Sequence, residues 1–97
     1  MIRMALEEGK LLCRFQGPLD TGTCQAIEAD ILAKVQAAEA PVVFDLKGVE
    51  YVGSAFLRLC LMVSTQVGPE RFSVVNVHPF VKKVLMIANL SAFLKAG

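Results

Sequence analysis

The sequence predicts an α/β fold: a small mixed sheet of about four strands, mostly parallel, with an antiparallel hairpin at its N-terminal end and helices packed on it. Three observations carry this. Short apolar runs alternate with longer helical patterns in the order β-β-α-β-α-β-α. A single helical segment separates each later pair of strands, which implies right-handed parallel crossovers. Hydrophobic residues make up 55% of the 97 and charged residues 20%, enough for one packed core and too few residues for two, so residues 1–97 are read as a single domain.

Met4 to Leu6 and Lys10 to Gln16 read as strands joined by a turn at Glu8-Gly9. In the second, Leu11, Cys13 and Phe15 share one face while Arg14 and Gln16 take the other, as in a half-exposed strand near a sheet edge. Over residues 21–38, Cys24, Ile27, Ile31, Val35 and Ala38 recur in steps of three and four, one stripe of an amphipathic helix, with Glu28, Asp30, Lys34 and Gln36 outside it. Pro41 marks the exit. "VVFDL" (42–46) does not alternate, which predicts a central strand covered on both faces.

The second helix is predicted over 54–67, with Phe56, Cys60, Val63 and Val67 as its core stripe and Arg58 and Thr65 on the far side. Leu61 and Met62 leave more apolar surface than one stripe requires. Phe56 falls on the stripe and is expected to turn inward. Gly68-Pro69 ends this helix, "FSVVNV" (72–77) is a further apolar strand, and Pro79 suits the first turn of a helix carrying Val81, Val84, Leu85 and Ala88. Leu90, Phe93 and Leu94 are placed to close the core.

The formal net charge is +1 and no basic run exceeds Lys82-Lys83, so the stripe of a nucleic-acid binder is missing. Glu7 and Glu8 interrupt any apolar leader. The most apolar stretch, Ala55 to Val63, is broken by Arg58 and falls short of the roughly 18 residues that span a membrane, so a cytoplasmic protein with no direct membrane insertion is expected. Cys13, Cys24 and Cys60 are odd in number and widely spaced, unlike a zinc or redox motif. They read as buried, reduced thiols, and no metal or cofactor is expected.

"YVGSAFLRL" (51–59) sets a serine, Ser54, at a strand-to-helix corner. A nucleophile elbow requires glycines two positions either side of the serine, where Val52 and Phe56 stand. The one histidine, His78, precedes Pro79 at another strand end. A serine hydrolase is therefore the disfavoured alternative. Ser54 also suits a helix N-cap, its oxygen accepting from an unpaired helix N–H. As a phosphate acceptor it would place a dianion against free N–H donors and the positive end of the helix dipole.

"VVFDLKGVEYVGSAFLRLCLM", with "GPLD" (17–20) upstream and "VVNVHPFVKKVLMIANLSAFL" downstream, resembles the STAS domain shared by bacterial anti-sigma factor antagonists. The resemblance covers nearly the whole chain, and the order and spacing of its segments carry it. It implies that Ser54 is the residue phosphorylated by a partner kinase. It further implies that the docking surface holds Asp20, Thr21, Gly53, Ala55, Arg58, Leu61 and Met62. The implied partners are a kinase-type anti-sigma factor, released on phosphorylation, and a serine phosphatase that resets the switch. The family's Asp-Ser-Ser-Gly is Gly53-Ser54-Ala55-Phe56 here: the acceptor stays while the aspartate, second hydroxyl and glycine are gone. That change raises an alternative within the same resemblance, a cytoplasmic subunit of a membrane lipid ABC transporter that braces its ATPase without phosphorylation. Asp20 also reads as an N-cap for the first long helix. The terminal helix of many family members is expected to be short or absent after Leu94.

Overall fold

A computed structural model describes residues 2–94. The elements run β1 (Ile2–Glu7), β2 (Lys10–Gln16), α1 (Thr21–Ala38), β3 (Val42–Gly48), α2 (Ser54–Val67), β4 (Phe72–Val75) and α3 (Pro79–Ile87), with short 3-10 turns at Pro69–Arg71 and Ser91–Phe93. The four strands lie in the order β1-β2-β3-β4. β1 and β2 are antiparallel, while β2–β3 and β3–β4 are parallel. This is the predicted mixed sheet with its N-terminal hairpin.

Local chemistry accounts for the boundaries. Glu8 (φ 52°) and Gly9 (φ 78°) both have positive φ, the two-residue hairpin turn whose twist matches that of its strands. Glu39 leaves α1 in the left-handed region (φ 49°), two residues before Pro41. Gly68 closes α2, its N–H donating to the Ser64 carbonyl at 2.9 Å. β4 is shorter than predicted, because Asn76 turns into the left-handed region (φ 56°) and ends the ladder at Val75. The Asn76 side-chain amide donates instead to Asp45 Oδ1 at 3.1 Å. Residues 95–97, where a terminal helix was in question, lie outside the described residues.

One core joins sheet and helices. Leu11, Cys13 and Phe15 of β2, Val42, Phe44 and Leu46 of β3, and Phe72 and Val74 of β4 meet Cys24, Ile31 and Val35 of α1, Phe56, Leu59, Cys60 and Val63 of α2, and Val81 and Leu85 of α3. Leu90 is buried, and Phe93 and Leu94 pack against the same cluster half-buried. Phe56 turns inward as expected: it is 0% exposed, with ring centroids 5.5 Å from Phe15 and 5.8 Å from Phe44. Leu59 joins the stripe of α2 and Val67 is only half-buried.

The expectation that β3 is covered on both faces is corrected. Val42, Phe44 and Leu46 are buried, but Val43 and Asp45 between them are half-buried on a second face that also carries Leu12, Arg14 and Ser73. The unbroken run arises because Val43 keeps an apolar neighbour, Leu12, across the ladder on that open face.

Candidate functional site

Two strand-to-helix connections end side by side. Leu19, after β2, and Val52, after β3, form an isolated parallel bridge. The Leu19 N–H donates to the Tyr51 carbonyl at 3.0 Å, and the Gly53 N–H donates to the Leu19 carbonyl at 2.9 Å. These bonds carry the β2–β3 pairing past the strand ends and bring the N-termini of α1 and α2 together. A Cβ built on Gly53 would lie 3.9 Å from the Asp20 Cα.

The two termini are finished differently. Asp20 caps α1: the Thr23 N–H donates to its Oδ1 at 2.8 Å. That bond favours the ionised carboxylate and holds Asp20 below the usual aspartate range. Gly53 caps α2 in extended backbone (φ −103°, ψ −179°) and offers no side-chain oxygen. Its carbonyl accepts from the N–H groups of Phe56 (3.1 Å) and Leu57 (3.3 Å).

The reading of Ser54 as the N-cap is therefore corrected. Ser54 is the first helical residue, one position too late for its hydroxyl to serve the first turn. It is exposed, and among the described residues nothing hydrogen-bonds its hydroxyl or the N–H groups of Ser54 and Ala55. The result is an accessible hydroxyl beside two free donors at the positive end of a 14-residue helix.

The other expected site residues fall around it. Thr21 is exposed at the start of α1, and Ala55 is half-buried beside Ser54. Ser54, Arg58 and Leu61 follow one another at helical spacing along the solvent side of α2, where Leu61 is 51% exposed. Met62, half-buried, flanks that stripe. Arg58 is tied across to α1, its Nη2 donating to Glu28 Oε1 at 3.0 Å. Tyr51 was missed: it is 47% exposed, and its hydroxyl lies 3.5 Å from the position of a Gly53 Cβ. The signal for it was an aromatic residue in a loop, outside any apolar period.

Nucleophilic chemistry finds no support here. His78 Nε2 donates to the Lys47 carbonyl at 3.0 Å, since a carbonyl can only accept, so this ring holds the β4–α3 turn to the end of β3. All three cysteines are buried. Burial pushes the Cys13 thiol up to about 12 and Cys60 higher still, and Cys24 is raised by burial and then by Asp20 and Glu28. Such thiols stay protonated near neutral pH. Among the described residues, no cluster of His, Cys, Asp or Glu can hold a metal ion, and no helix is long and apolar enough to cross a membrane.

Comparison with known proteins places this geometry in context. The model of the STAS domain family matches residues 1–96. A Bordetella bronchiseptica protein named "Putative anti-sigma factor antagonist BtrV" is 33% identical over 89 residues, 89% of this chain and 77% of that protein. The crystal structure of an anti-sigma factor antagonist from Mycobacterium paratuberculosis superposes with a TM-score of 0.84 at 26% identity, over 99% of this chain and 83% of that one. The anti-sigma factor antagonist SpoIIAA in its unphosphorylated form has the same fold, with a TM-score of 0.84 at 16% identity over 100% of this chain and 88% of that one.

Proposed function

This chain belongs to the STAS domain family, and we propose that it acts as an anti-sigma factor antagonist, docking on a kinase-type anti-sigma factor through the corner at Ser54. In this reading the unphosphorylated protein occupies the anti-sigma factor and frees a sigma factor. The bound kinase transfers the γ-phosphoryl group of ATP to the Ser54 hydroxyl, leaving ADP, and a serine phosphatase later hydrolyses the ester. The protein is regulatory rather than catalytic, works in the cytoplasm, and requires no cofactor of its own.

The observation that carries the reading is the exposed, unengaged hydroxyl of Ser54 at an uncapped helix N-terminus. Without a base of its own, it suits modification by a partner better than attack on a substrate. Once added, a phosphate carries about two negative charges at the start of a surface formed by Ala55, Arg58, Leu61 and Met62. Charge there costs a partner that packs against apolar side chains, which gives the switch its direction. Thr21, Asp20 and Gly53 form the neighbouring wall.

The test is capture from the native cell with the parent chain, Ser54→Ala and Ser54→Asp as baits. A kinase-type anti-sigma factor retained by the parent and by Ser54→Ala, and lost with Ser54→Asp, supports the proposal. Capture of a transporter ATPase, equal on all three baits, would replace it with the transport-subunit reading.

A further inference from the structure

Among the described residues, β1 pairs on one side only, leaving its outer edge open. Natural sheets usually blunt such an edge with proline, a bulge or charged side chains, lysine above all. The β1 sequence IRMALE has no proline, and its two charges are of opposite sign and four residues apart. We propose that β1 pairs antiparallel with β1 of a second copy of this chain, about a two-fold axis at Ala5, making one continuous sheet of four strands from each copy.

The register follows from the hairpin. The turn Glu7–Lys10 makes Glu7↔Lys10 a hydrogen-bonded pair, so Glu7, Ala5 and Arg3 direct their N–H and C=O toward β2. Ile2, Met4 and Leu6 therefore direct theirs outward. Two copies bond through that edge only if these residues face one another, which leaves three central registers. Met4 opposite Met4 sets Arg3 against Ala5, and Leu6 opposite Leu6 sets Glu7 against Ala5. Met4 opposite Leu6 sets Arg3 of each copy against Glu7 of the other, twice by symmetry, and pairs residues 3–7 of the two strands.

The same register answers two further features. Arg3 lies directly opposite Arg14 in the hairpin, an unfavourable like-charge pair. Arg14 is compensated by Glu7 (3.1 Å) and, more distantly, Asp45 (4.0 Å), whereas Arg3 has no ion pair among the described residues. In the dimer Arg3 gains a carboxylate on its free side. Leu6, 62% exposed on the other face, comes to lie beside the half-buried Met4 of the second copy. None of the residues of the Ser54 corner belongs to β1, so the pairing leaves that corner open.

Sedimentation velocity over a concentration series tests this on the full chain. The parent should show a reversible monomer–dimer equilibrium. Arg3→Glu and Glu7→Arg should each raise the dissociation constant about tenfold, because two symmetry-related pairs become repulsive at once. The double exchange Arg3→Glu/Glu7→Arg should return it to within about threefold of the parent. Met4→Pro removes an outward N–H and not one of the β1–β2 bonds, and should abolish dimers. Its circular dichroism and urea midpoint report whether the fold survives, and if it does not, the charge series alone decides. A parent that stays monomeric throughout, variants that associate as the parent does, or an exchange that fails to restore association would overturn the proposal.

Discussion

The N-termini of α1 and α2 start from adjacent strand ends and lie against each other, yet one is closed and the other open. Asp20 gives α1 a carboxylate that takes the Thr23 N–H. α2 begins after Gly53, which has no side chain to take a bond at the cap position, and the next residue carries an exposed hydroxyl. A capped terminus has its positive end answered from within the chain. An open one can be answered from outside, by an anionic group added to Ser54. The corner thus sets a structural helix start beside one left available for chemistry.

The firmness of the open terminus comes from beneath it. Phe56 is buried among Phe15 and Phe44 and anchors the first turn of α2. Phe56→Ala should lower stability by about 3–5 kcal/mol, read from denaturant midpoints. An unchanged midpoint would mean that the turn carrying Ser54 is held by something other than its aromatic anchor.

A smaller effect is expected at the open terminus itself. Ser54→Asp should weaken partner binding about tenfold, or ~1.4 kcal/mol, and leave the urea midpoint near that of the parent. One carboxylate carries less charge than a phosphate and is well tolerated in a first helical turn. Calorimetry with the purified partner measures it; equal affinities for Ser54→Asp, Ser54→Ala and the parent would take Ser54 out of the interface.

The closed terminus should respond to pH instead. Because the Thr23 N–H lowers the folded-state value of Asp20, its contribution is complete above the unfolded aspartate value of about 3.9 and is lost as pH falls through the lower folded value. Asp20→Ala should therefore be less stable than the parent at pH 7, and the gap should close on acidification below about pH 4. A gap that persists unchanged at the acid end would show that the carboxylate is not the source of the cap.

The smallest change is the one that makes the termini alike. Gly53→Asp meets only ordinary contacts, with the Tyr51 hydroxyl at 3.5 Å and the Leu19 carbonyl at 3.6 Å from the new Cβ. Replacing a glycine cap by aspartate is worth a few tenths of a kcal/mol, and repulsion from Asp20 opposes it. The midpoint should move by less than about 0.5 kcal/mol; a large loss would mean the corner has less room than its geometry states.

Much of the fold was legible because periodicity reports burial. The stripe of α1, the inward turn of Phe56 and the Gly68-Pro69 stop followed from spacing and from backbone chemistry local to those residues. Two features escaped that reading. The half-exposed face of β3 depends on whether any element covers it, and an apolar Val43 beside Leu12 looks the same in sequence either way. The end of β4 rests on the backbone turn at Asn76, which a β-rich run conceals. At the site, the serine and its corner were visible, and Asp20 was recognised as a cap. Which residue caps α2 was misplaced by one position, the usual margin for a helix boundary. The tie of Arg58 to Glu28 joins residues 30 apart, and no pattern along the chain announces it.

The central claim is that the partner reads charge at Ser54. It is tested most directly by titrating one purified anti-sigma kinase with the unphosphorylated chain and with the chain phosphorylated at Ser54, both shown by urea melts to be equally folded. The account predicts tight binding of the first and a loss of affinity for the second larger than the loss caused by Ser54→Asp. Equal affinity of the two forms would contradict it.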